Sequence, residues 1–125
     1  MAEWTSEQLV FLHDVVEVRI APLQADGTPW PGRLIWVVQE SGRVWARSWK
    51  GANAEWYRRA RETDRARLTT DDGQLDVTVE LRPDQDSTAA AWIDAEFLRK
   101  YGDPYAKEMN LPLAAETTVE LLPVP

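Results

Sequence analysis

The stretch that decides the fold is LIWVVQESGRVWARSWKGANAEWYRRAR, residues 34–61. It reads as a β-hairpin, a tight turn and a helix. Leu34-Ile35-Trp36-Val37-Val38 is an apolar run of strong β-formers, as a well-buried strand should be. Glu40-Ser41-Gly42-Arg43 supplies the turn, with Gly42 free to take a positive φ. Residues 44–49 then alternate. Val44, Ala46 and Ser48 face one way; Trp45, Arg47 and Trp49 face the other. Gly51 ends the strand. Asn53 is the expected N-cap of a helix starting near Ala54, because its side chain can accept a free backbone N–H. Glu55 stands four before Arg59, a favourable helical pair.

This stretch also concentrates charge. Residues 43–67 carry eight Lys/Arg against three Asp/Glu, whereas the remainder carries six against eighteen. The net charge is −7, which argues against general nucleic-acid affinity. A basic island in an acidic frame suits a small anionic ligand better than a long polyanion. Arg47-Ser48-Trp49-Lys50-Gly51 joins a strand end to a helix N-terminus, where free N–H groups and the helix dipole favour an anion. A guanidinium, a hydroxyl and an ammonium there would suit a phosphate or carboxylate. The competing reading makes Arg47 and Lys50 solvated strand-end charges.

Working outward, Trp4-Thr5-Ser6-Glu7-Gln8-Leu9 opens a helix running to about Val15. Thr5 and Gln8 form a capping box, and Trp4 and Leu9 are spaced as a hydrophobic staple. Residues 17–21 read as a strand closed by Pro22. Residues 26–32 form a turn-rich loop. Gly27 and Gly32 have the spacing of a phosphate loop, but Arg33-Leu34 replaces its Lys-Ser/Thr. Trp30 in that loop either covers a ligand or caps the core. Strands are expected at 66–70, 75–81 and 117–122, with a turn at Asp71-Asp72-Gly73-Gln74. A second helix is expected over 87–101. Its stripe of Ala89, Ile93, Phe97 and Tyr101 falls at fourfold spacing, with a stop at Gly102 and Asp103-Pro104. Residues from there to Ala115 read as irregular.

The length of 125 residues is expected to form one domain over 1–125. The absence of cysteine excludes disulfides, Cys-based zinc sites and thiol catalysis. His13 stands alone on the first helix and reads as a surface or partly buried residue. Asp84 and Asp86 lack the Gly and distal Glu of a calcium loop, and no metal site is expected. No leader pattern and no apolar run near 18 residues is legible, so a soluble, cytoplasmic protein with no membrane partner is expected. The order α β β β α β β α β, joined mostly by tight turns, predicts an α+β, mainly β fold: a six-stranded antiparallel split β-barrel with helices at its openings.

The motifs IWVV (35–38), VWARSWKG (44–51), EWYRRA (55–60), DAEFLRKYGDPY (94–105) and TTVELLP (117–123) resemble a bacterial family of small domains of unknown function. More distantly, the element order resembles the split-barrel flavin-binding proteins, including pyridoxamine-phosphate-oxidase-like and deazaflavin-dependent nitroreductase-like enzymes. That resemblance implies a cofactor phosphate held by Arg47, Ser48 and Lys50 beside Gly51, with Trp56, Tyr57 and Arg58 following on the helix. It implies FMN or a deazaflavin as cofactor, oxidoreductase chemistry and a homodimer. No catalytic residue is singled out. Two alternatives stay open. One is a non-catalytic module for a small anion or nucleotide. The other is a dimeric interaction protein that pairs through Trp45 and Trp49. Replacing Arg47 by Ala is expected to weaken phosphate binding and leave the fold intact.

Overall fold

A computed structural model describes residues 3–84, 89–102 and 105–124. Helix α1, Ser6–Asp14, carries the expected capping box: the Gln8 N–H donates to Thr5 Oγ1 at 3.1 Å, and the Thr5 N–H donates to Gln8 Oε1 at 2.9 Å. The strands are β1 (Val18–Pro22), β2 (Arg33–Ile35), β3 (Val37–Glu40), β4 (Arg43–Ala46), β5 (Arg65–Thr69), β6 (Asp76–Pro83) and β7 (Val119–Pro123). All pairings are antiparallel, in the order β2-β1-β5-β6-β7-β4-β3.

Seven strands stand where six were expected, and Trp36 is the reason. The apolar run 34–38 is two strands, not one. Ile35 pairs with Val18 on β1, while Val37 pairs with Ala46 on β4. Only Trp36 separates them, yet β2 and β3 occupy opposite ends of the strand order. The sheet therefore wraps until its two edges meet at one residue, giving a nearly closed antiparallel barrel with a single seam. At that seam Trp36 stacks on Tyr101, with centroids 4.0 Å apart and planes 3° from parallel.

Alternation along the strands sorts the core into two clusters. The first joins Val18, Ile20, Val37, Val44, Ala46, Leu68, Val79, Leu81, Val119 and Leu121 with Leu12 of α1 and with Trp56 and Ala60 of α2 (Glu55–Thr63). The second joins Val38 and Trp45 to Ile93 and Phe97 of α3 (Ala90–Tyr101) and to Ala106 and Met109 of α4 (Tyr105–Met109). Strand β4 feeds both: Val44 and Ala46 enter one cluster, Trp45 the other. Trp45 is thus buried beneath α3, with the Arg43 guanidinium 4.5 Å from its ring, and presents no free face for pairing. Ile93 and Phe97 are fully buried, as the stripe predicted.

The stretch read as irregular contains α4 and a second short helix, α5 (Pro112–Ala115). Helix α3 ends at Gly102, whose φ is +75°. The expected helix start at Ser87 and the stop signal Asp103-Pro104 lie outside the described residues, as do Gln85 and Asp86. Among the described residues, no helix is long and apolar enough to cross a membrane.

Candidate functional site

A cleft of about 760 Å³ opens where β4 runs into α2. Its walls include Arg33, Leu34, Ile35 and Trp36 from the seam, Arg47–Lys50 after β4, Ala54–Trp56 at the start of α2, and Glu108 and Met109 of α4. Glu17 also lines it.

Leaving β4, the chain tightens into a turn. The Ser48 hydroxyl donates to the Gly51 carbonyl at 2.7 Å, and the Gly51 N–H donates to the Ser48 carbonyl at 2.9 Å. A 3₁₀ turn over Gly51–Asn53 follows, then α2. The cap of α2 is Ala54, not the expected Asn53, which is the last residue of the 3₁₀ turn. Ala54 has no side-chain acceptor, so the first-turn N–H groups of α2 keep no side-chain cap. Those residues line the cleft. The Glu55 carboxylate in that first turn is drawn to Arg59 at 2.5 Å.

The six residues singled out from sequence fall in three settings. Arg47, Ser48, Lys50 and Trp56 all line the cleft. Among the described residues, Arg47 is the largest fully buried side chain. Its Nε donates to Thr118 Oγ1 at 2.8 Å; its Nη1 donates to Asp94 Oδ1 at 2.6 Å and to Met109 O and Asn110 Oδ1, each at 3.1 Å. It therefore binds β4 to α3, α4 and the start of β7, and its removal acts on the fold as well as on the cleft wall. Ser48 is also occupied: besides its hydroxyl bond, its N–H donates to Thr117 Oγ1 at 2.7 Å. Lys50 is exposed, and among the described residues no carboxylate pairs with it.

Gly51 and Arg58 stand apart from the cleft walls. Gly51 has φ +70°, and a Cβ there would meet Leu113 of α5 at 2.7–2.9 Å. The close approach that glycine permits is to α5. Arg58 lies on the exposed side of α2. Trp30, left open between ligand and core, carries Arg59 3.9 Å above its ring and does not line the cleft. Arg33, Trp36, Glu17 and Glu108 are cleft residues that sequence reasoning did not assign to the site. Trp36 carried a usable signal, a large aromatic inside a run of aliphatics. Glu108 and Met109 carried none, because α4 was read as irregular. The Trp49 indole donates to Glu108 across the cleft mouth.

Among the described residues, no cluster of three or more His, Asp or Glu side chains is placed to hold a metal ion. His13 is half-buried, its Nδ1 3.0 Å from Gln39 Nε2.

Comparison with solved structures places the fold. HutZ, the heme storage protein of Vibrio cholerae, superposes with a TM-score of 0.68 at 12% identity, over 99% of this chain and 92% of that one. A Listeria innocua protein assigned as a pyridoxamine 5′-phosphate oxidase gives 0.61 at 11% identity, over 95% and 90%. An F420 reductase gives 0.54 at 15% identity, over 93% and 92%. At these identities the likeness is one of fold, that of the split barrels. No curated protein matches the chain in sequence. The sequence profile of one family covers residues 8–121, and the chain belongs to that family, described as "Uncharacterized protein conserved in bacteria (DUF2255)".

Proposed function

We propose that the cleft binds a flat, phosphate-bearing cofactor of the flavin or deazaflavin class, and that the protein is a redox protein. One observation carries this reading: the uncapped N-terminus of α2, Lys50 and Arg33 open on a cleft whose walls include Trp36, Trp49 and Trp56. Donors and cations there suit a phosphate. Indole faces suit a planar ring system. The volume lies within the range of cofactor sites, about 300–1,000 Å³. The residues present thus fit the group.

A flavin-type cofactor, when bound, supplies the electron or hydride chemistry itself. The chain's own part is to bind and orient. Lys50 and the α2 N–H groups hold the phosphate end. Arg47, held by Asp94 and Thr118 and donating to the Met109 carbonyl of α4, keeps β4 and α4 at the spacing that leaves the cleft open. Trp36 and Trp56 exclude water from the ring.

Support from the fold is consistent with this reading, since an F420 reductase and a protein assigned as a pyridoxamine 5′-phosphate oxidase share it. The same reading includes a homodimer, formed about the cleft mouth where Leu34 and Trp49 are 52% and 57% exposed. Fluorescence titration with FMN, and separately with a deazaflavin, tests the proposal. Saturable binding of either, weakened by Lys50→Ala, is expected. Saturation by ADP alone would replace it with a nucleotide-binding module, and no binding of any of the three would overturn it.

A further inference from the structure

A second cavity, of about 350 Å³, shares Trp36 with the cleft and is lined also by Asp14, Val15, Val16, Lys100 and Tyr101. We propose that Lys100 is a reactive amine that captures small neutral carbonyl compounds, aldehydes of a few carbons, in this cavity.

The geometry at the nitrogen carries the proposal. Lys100 Nζ donates to the Leu12 carbonyl at 2.8 Å and to the Val37 carbonyl at 2.7 Å. A tetrahedral nitrogen bonded to Cε then has one position left. In the ammonium that position is a third N–H, for which the described residues offer no acceptor. In the amine it is the lone pair. Pinning both hydrogens gives the lone pair one direction, which is what a positioned nucleophile needs.

The surroundings favour the amine. Burial and the neighbouring Arg99 on α3 disfavour the charge, while Asp14 on α1 and Glu96 on α3 favour it. The balance brings Lys100 down to about 8. The Tyr101 ring, 5.2 Å from the nitrogen, also favours the charge, and burial outweighs it; the Tyr101 hydroxyl is engaged with the Val16 and Val37 carbonyls. Val15, Val16 and Trp36 make apolar walls, and Asp14 repels carboxylates, so a neutral aldehyde is the favoured occupant.

The step balances as follows. The lone pair attacks the carbonyl carbon and a C–N bond forms. The carbonyl oxygen leaves as water, taking one proton from the amine and one from solvent. The product is an iminium whose remaining N–H can still donate to one of the two backbone carbonyls.

Propanal with cyanoborohydride tests this at pH 8, the hydride reducing the iminium to a stable propyl-lysine. Peptide mass mapping then compares Lys100 with Lys50 and Lys107, the other two lysines. At that pH about half of an amine titrating near 8 is neutral, against under ~1% of an ordinary lysine. Labelling of Lys100 at least tenfold faster than Lys107 is expected. Lys100→Arg, which keeps donors for both carbonyls, should abolish the fast site and leave the other two unchanged. In urea-unfolded protein the advantage should vanish. Labelling of folded Lys100 at or below the rate of Lys107 would overturn the proposal. So would an advantage that survives unfolding, since the cavity would then play no part.

Discussion

Arg47 Nη1 donates to Asp94 Oδ1 at 2.6 Å, tying the end of β4 to α3 through a side chain only 1% exposed. Arg47→Ala should destabilise the protein by about 3 kcal/mol, the low end for breaking a buried pair. The low end applies because Asp94 is 41% exposed and water can solvate part of its charge. Urea denaturation checks this. A loss under ~1 kcal/mol would show that Met109, Asn110 and Thr118 find other partners at little cost.

Phe97 is fully buried between the Arg47 guanidinium, 5.4 Å from its ring, and Tyr101, 6.1 Å between centroids. Phe97→Ala should cost about 3–5 kcal/mol by lost burial and the cavity left behind. The same denaturation experiment measures it.

Gly51 combines a positive φ with Leu113 packed against its Cα. Gly51→Ala should cost about 2–4 kcal/mol, from left-handed backbone strain and overpacking together. Leu113→Ala in that background should recover the side-chain share of the packing cost and leave both the strain and the contact with the Leu113 carbonyl, 2.9 Å from the added Cβ. A coupling energy near zero in the double-mutant cycle would show that α5 yields freely.

Lys50 is exposed and carries no ion pair among the described residues. Lys50→Ala should leave stability within about 0.5 kcal/mol of the parent. It should weaken FMN or deazaflavin binding by about tenfold, the loss of one charge-assisted hydrogen bond. Calorimetric titration and a thermal melt on the same sample separate the two effects.

Lys100 titrates near 8 in the folded chain, below its ordinary 10.5, because burial penalises its charge. Between those values the unfolded chain holds the proton more tightly, so this group makes stability rise with pH from about 8 towards 10.5. Tyr101 acts in the opposite sense. Burial raises its pKa above the ordinary 10.0, so its contribution falls only above pH 10. A urea midpoint that rises from pH 8 to pH 10, and rises less in Lys100→Arg, is the expected result.

Local chemistry was enough for several elements. The Thr5–Gln8 box and the buried Ile93 and Phe97 depend on neighbours within a few residues, and both appear in the structure as read. The alternation expected over residues 44–49 holds only for Val44, Trp45 and Ala46, because β4 ends at Ala46, short of the expected stop at Gly51. The antiparallel barrel followed from short connections between strands. The cleft was legible only in part, through Arg47, Ser48, Lys50 and Trp56.

Three features needed the assembled chain. The break at Trp36 exists because Ile35 and Val37 find partners 17 and nine residues away on different strands. No local signal distinguishes one strand from two there. Arg47 looked like a free strand-end cation because its partners Asp94, Asn110 and Thr118 lie 47 to 71 residues further on. Lys100 reads as an ordinary helix-end lysine until the fold closes the Leu12 and Val37 carbonyls around its nitrogen. Composition and periodicity determined most of the strands, the longer helices and the core stripe of α3, since those preferences act over one or two turns of chain, but not α4, α5 or the break at Trp36. Which charged side chains are buried ties and which remain free to meet a ligand was decided by long-range closure, because desolvation and pairing depend on what the barrel brings alongside.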